Sequence, residues 1–163
     1  MQAHPAIVRL PAFLAVYRQP VRAGFPSPAD DYLDSPIDLS RALIKNAPAT
    51  FIMTVAGGSA IDAGILGSNL VTVDRSLSPR DGDPVVVDVN GERSVKIFRL
   101  VGGRSCLAFG NRRYPDFDPA PDADIQSFGV VANSARWLPG GYRVSLTKVP
   151  DAISVSCPMA SGL

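Results

Sequence analysis

The run Val85-Val86-Val87-Asp88-Val89-Asn90-Gly91-Glu92-Arg93-Ser94-Val95-Lys96-Ile97-Phe98-Arg99-Leu100-Val101 reads as two strands joined by a tight turn. Val85 to Val89 is β-branched except at Asp88, and β-branched side chains fit a pleated surface. Asn90-Gly91 is the residue pair that a type I′ turn demands, because both central positions need positive φ. Glu92 to Val101 then returns with enough alternation for the second strand. A two-residue loop sets the register: Val89 opposite Glu92, Asp88 opposite Arg93 as a cross-strand charge pair, and Val85 opposite Lys96.

Working outward from this hairpin, Ser78-Pro79-Arg80-Asp81-Gly82 is turn chemistry, Leu70 to Val73 is a strand, and Thr50 to Val55 is a buried strand. Gly57-Gly58 breaks the chain before a turn or short helix beginning at Ser59. Between Ile37 and Asn46, Leu39, Leu43 and Ile44 have helical spacing, Asp38 is a candidate N-cap and Pro48 is a stop. Residues 1–35 hold five prolines, too many for a helix or a central strand, so this segment is expected to be an extended arm. Downstream, residues 114–124 form an acidic, proline-rich loop, Phe128 to Val131 begins a last core strand, and Pro139-Gly140-Gly141 turns the chain past Trp137.

Composition agrees with a mainly β chain of short strands and hairpins: 15 Pro and 14 Gly in 163 residues, with 46% apolar and 19% charged residues. The formal net charge is +1 and the longest basic run is Arg112-Arg113, so the electrostatic footprint of a sequence-specific nucleic-acid binder is missing. Cys106 and Cys157 lie far apart and outside any Cys/His cluster, which offers neither a metal site nor a disulfide framework and fits a reducing cytoplasm. No run approaches the roughly 18 apolar residues of a membrane span.

One histidine, His4, sits in the proline-interrupted arm, which argues against Ser-His-Asp or Cys-His chemistry. Lysine is scarce too: Lys45, Lys96 and Lys148 are the lysines among 16 Lys and Arg residues. Arg cannot act as a base near neutral pH, whereas a buried Lys can. Alternation places Lys96 on the face of Phe98 and Leu100, where burial would disfavour the ammonium and yield a neutral amine. The rival reading is an edge lysine whose stem packs while its head reaches water. Ser59, after two glycines, is a candidate nucleophile, with backbone N–H groups of a helix start near a developing oxyanion. Equally, Ser59-x-x-Asp62 resembles a capping box, and the serine is then a plain N-cap.

Taken together, several segments resemble the LexA/UmuD family of self-cleaving serine peptidases. Ala23-Gly24-Phe25-Pro26-Ser27-Pro28-Ala29 is similar to the cleavage region of UmuD-type members. Gly57-Gly58-Ser59-Ala60-Ile61-Asp62-Ala63-Gly64-Ile65 resembles the segment around the nucleophile. Asp74-Arg75-Ser76-Leu77, Gly82-Asp83 and Ser94-Val95-Lys96 follow the family's hairpin and base, and Phe128-Gly129-Val130-Val131 its last strand. The likeness spans residues 15–137. This sequence departs in having Gly58 and Ala60 where Asp and Met usually flank the serine, Asn69 where an acidic residue is common, and Pro84 at the hairpin entry.

The resemblance implies a compact LexA/UmuD-like β domain over residues 36–137, an arm over residues 1–35 carrying the scissile Ala23-Gly24 bond, and an extension of unknown role over residues 138–163. It implies a Ser59–Lys96 dyad without cofactor or metal. The 23 residues before Gly24 are too few for a helix-turn-helix domain, which points to the UmuD-type branch. Such proteins form homodimers and cut themselves on a RecA–single-stranded DNA filament. In shortened form they join a UmuC-type Y-family DNA polymerase in SOS mutagenesis, with no membrane involvement. Two alternatives stay open: a non-cleaving interaction module of the same fold, and a signal-peptidase-like Ser–Lys protease acting on other proteins.

Overall fold

The computed structural model describes residues 4–5, 13–17 and 33–139. Nine strands run through these segments: β1 (His4–Pro5), β2 (Phe13–Tyr17), β3 (Leu33–Asp38), β4 (Thr50–Thr54), β5 (Leu70–Asp74), β6 (Pro84–Val89), β7 (Glu92–Val101), β8 (Arg104–Ala108) and β9 (Ile125–Ala135). Seven form one antiparallel sheet in the order β1-β4-β5-β9-β6-β7-β8, and β2 pairs with β3 in a separate two-stranded sheet. The mainly β expectation holds.

The β6–β7 hairpin has the register read from the sequence, with Val89 opposite Glu92, Asp88 opposite Arg93 and Val85 opposite Lys96. Asn90 (φ 51°) and Gly91 (φ 81°) adopt the left-handed conformation that the type I′ turn requires. Arg93 grips Asp88 in a fork, Nε to Oδ1 and Nη2 to Oδ2, both at 2.8 Å. Val85, Val86 and Val87 are all buried, because β6 lies between β9 and β7 and is covered on both faces. Val86 and Val95 join Met53, Val71, Val73 and Val131 in the larger core. On the other face Val85, Val87 and Val130 pack with Phe98 and Leu107. Ser94 and Lys96 belong to this second face, opposite Val87 and Val85.

The structure adds detail to the sequence reading in three places. The prolines of the arm exclude a central strand but not an edge: among the described residues β1 pairs with β4 alone, and β3, which begins in the arm and carries Pro36 just beyond it, pairs with β2. The helix is α1 (Leu39–Leu43), which starts after Asp38 because that carboxylate accepts from the Ser40 and Arg41 N–H groups as a true N-cap. A further strand, β8, follows a second left-handed turn at Gly102 (φ 58°) and Gly103 (φ 79°).

Candidate active site

After β4 the chain leaves the sheet and returns at β5, and the loop mouth is closed by Val55 N–H donating to Asn69 O (2.9 Å) and Ser68 N–H to Val55 O (2.8 Å). Gly57 has φ 80°, and a Cβ on Gly67 would stand 3.1 Å from the Gly57 carbonyl oxygen, so the two ends of the loop touch through glycines. Ser59 lies half-buried inside this loop. Its Oγ donates to the Val95 carbonyl at 3.4 Å, from a residue 36 positions away. A cavity of about 250 Å3 opens beside it, walled by Thr54, Val55, Ala56, Arg93, Ser94 and Val95.

The turn expected at Ser59 is present and leads into a single 3-10 turn over Ile61–Ala63, whose N-cap position, Ala60, makes no side-chain cap. The capping box fails because both partners are engaged elsewhere. The Asp62 carboxylate accepts from the Arg112 N–H (2.8 Å) and Nε (3.3 Å), and the Arg112 N–H chiefly holds its pKa below the usual carboxylate value. Ala60 is fully enclosed in the larger core. Asn69 is buried and donates to Gly64 O and to Ser134 Oγ (2.9 Å), so an amide does here the work of anchoring the loop to β9.

Lys96 is 4% exposed, which excludes the snorkelling alternative. Its Nζ lies 4.7 Å from the Phe109 ring centroid and 4.9 Å from that of Phe117, and it donates to Ser94 Oγ. Among the described residues no carboxylate pairs with it. Burial therefore pushes its pKa down. Leu100, expected beside it, is 51% exposed: β6 starts at Pro84 opposite Ile97, so Leu100 runs past the end of that strand. Phe109 and Phe117 take the place expected of Leu100, and they come from the loop after β8, where aromatic residues recurring in a proline-rich segment were the available signal.

Ser59 and Lys96 are thus brought to adjacent positions of β7, the serine at the Val95 carbonyl and the lysine one residue on, with Ser94 bonded to the amine and lining the serine's cavity. Their polar atoms pair with Val95 O and Ser94 Oγ, not with each other. Ala23 and Gly24 lie outside the described residues.

Residues 15–132 match the family model described as Peptidase S24-like. The chain is 41% identical over 112 residues to Protein ImpA of Escherichia coli, covering 69% of this chain and 76% of that one. It is 37% identical over 109 residues to Protein SamA of Salmonella typhimurium, covering 67% and 75%. LexA repressor 1 of Xanthomonas axonopodis pv. citri is 38% identical over 116 residues, covering 71% of this chain and 57% of the repressor. With the antiparallel sheet and the order of segments along it, these likenesses establish that the chain is a UmuD-like member of the LexA/UmuD family, the Peptidase S24-like self-cleaving serine peptidases.

Proposed function

We propose that this chain cuts its own arm at Ala23-Gly24, with Ser59 as nucleophile and Lys96 as general base. The observation that carries the reading is the Lys96 amine, enclosed by Phe109 and Phe117 with no carboxylate partner among the described residues, since such an environment favours the neutral base that a Ser–Lys mechanism needs. The neutral amine takes the Ser59 hydroxyl proton as Oγ bonds to the Ala23 carbonyl carbon. Collapse breaks the Ala23–Gly24 bond, and the lysine returns the proton to the departing Gly24 amine. Water then hydrolyses the ester and restores Ser59. Ser94, bonded to Nζ, orients the amine. In this reading a RecA–single-stranded DNA filament stimulates cutting, and the shortened homodimer acts with a UmuC-type Y-family polymerase in SOS mutagenesis in the cytoplasm.

A second reading, a non-cleaving module of the same fold, draws on one observation: the hydroxyl donates to Val95 O while the amine donates to Ser94 Oγ, so both must re-pair before proton transfer. Intact-mass measurement during incubation from about pH 7 to about pH 10.5, the range over which a depressed lysine becomes neutral, separates the two. Self-cleavage predicts a fragment beginning at Gly24 whose initial rate rises with pH, and which Ser59→Ala, Lys96→Ala and Gly24→Val each abolish. A folded wild-type chain that stays intact, with or without the filament, supports the module.

A further inference from the structure

The loop after β8 touches the nucleophile turn at three points. Gly110 O accepts from the Asp62 N–H at 2.7 Å, the Arg112 N–H binds the Asp62 carboxylate at 2.8 Å, and Asn111 Nδ2 donates to the Gly58 carbonyl at 2.6 Å. The approach depends on Gly110, where a Cβ would stand 3.1 Å from Ala60 Cα and 3.0 Å from the Ile97 side chain. Asn111 is 8% exposed. Its amide has one possible sense: Oδ1 accepts the Arg113 N–H at 3.0 Å, so Nδ2 is the atom that faces Gly58.

We infer that Asn111 is a positioning residue for Ser59, holding the Gly58–Ser59 peptide so that the Ser59 N–H faces the reacting carbonyl. In a trans peptide the C=O and N–H project from opposite edges, so fixing the Gly58 oxygen on the Asn111 side directs the Ser59 N–H to the other side. Among the described residues that N–H donates to no protein acceptor. It is therefore available to bind the oxyanion formed when Oγ of the same residue attacks. A latch is needed here because Gly57-Gly58 leaves the peptide plane free to turn over, and glycine resists no such rotation. The inference rests on the Ser59–Lys96 reading and adds a residue that acts through the serine's own backbone.

The test uses the full chain and two readouts: spontaneous self-cleavage at alkaline pH by intact mass, and labelling of Ser59 by a fluorophosphonate probe, which needs no arm in the site. Asn111→Asp keeps the shape and the acceptor for Arg113 while deleting the donor to Gly58. Asn111→Ala deletes the donor without setting a carboxylate against a carbonyl, and it decides the matter if the Asp variant does not fold. Both rates should drop on the order of a hundredfold, the usual loss when one oxyanion donor is disabled. For Asn111→Ala, which adds no charge near Lys96, the pH midpoint should stay at the wild-type value. Asn133→Ala, which removes bonds to Leu43 O and Thr72 Oγ1 and none to the Ser59 turn, should lose thermal stability yet keep both rates per folded molecule. A folded Asn111→Ala chain that reacts at the wild-type rate overturns the inference and leaves the dyad standing. A wild-type chain that neither cuts itself nor takes label at Ser59 overturns both.

Discussion

Replacing Lys96 by Met in a Ser59→Ala background, where self-cleavage cannot interfere, should make the protein more stable at neutral pH. The side chain is 4% exposed and no carboxylate compensates its charge among the described residues. An ion so placed costs several kcal/mol of desolvation. Two ring contacts at 4.7 and 4.9 Å return about 1 kcal/mol each, and the bond to Ser94 Oγ returns about 1.5 kcal/mol more. The remainder favours Met, which fills similar space without charge, by about 2 kcal/mol, or roughly 5–10 °C in Tm for a domain of this size. The gap should also depend on pH. Because burial lowers the folded-state pKa of Lys96, the folded chain releases this proton at lower pH than the unfolded chain does. Below both values the folded state bears the whole cost of the charge. Between them only the unfolded chain holds the proton, so wild-type stability rises with pH and the advantage of Met shrinks, closing near the ordinary lysine value of about 10.4. Urea unfolding of the two proteins at about pH 7, 8.5 and 10.5 measures this directly. A wild type that is the more stable at about pH 7, or a gap that does not change over this window, would refute the claim that Lys96 is buried at the cost of its charge.

Two further outcomes follow from the sheet. Gly129→Ala should destabilise by about 1–3 kcal/mol in denaturant titration, since overpacked cores cost that much and the new Cβ would stand 2.9 Å from Asp74 O and 3.0 Å from Val73 Cγ1. For the Asp88–Arg93 fork, a double-mutant cycle with alanine should give a coupling of about 1 kcal/mol at neutral pH. The fork's bonds from Arg93 hold the Asp88 pKa below its ordinary value, so this coupling is present above about pH 4 and fades as pH falls through the lower folded-state value. A coupling unchanged in acid would show that the pair contributes through packing alone.

The parts of the fold legible in the sequence are those whose causes are local. Asn90-Gly91 admits essentially one tight turn, and the register of β6 on β7 follows from it, which is why the Asp88–Arg93 and Val85–Lys96 pairings could be read in advance. Gly102-Gly103 carries the same kind of signal, but Arg104–Ala108 lacks the β-branched run that makes β6 plain, so β8 is not legible in the sequence. The exposure of Leu100 is not legible either, because alternation says which face a residue takes and not where the neighbouring strand ends. Alternation puts Lys96 on the core-side face but leaves its head free to reach water; the rings that enclose it are not legible, since they come from a proline-rich loop whose path depends on tertiary packing. That loop is where the two halves of the candidate site meet. Phe109 and Phe117 set the surroundings of the Lys96 amine, while Gly110, Asn111 and Arg112 brace the turn bearing Ser59. The lysine's basicity and the serine's orientation therefore depend on one nine-residue stretch, Phe109 to Phe117. On the proposed Ser59–Lys96 mechanism, a displacement of that stretch would change both at once, so a partner that moved it would act on proton transfer and on the attacking geometry in a single step.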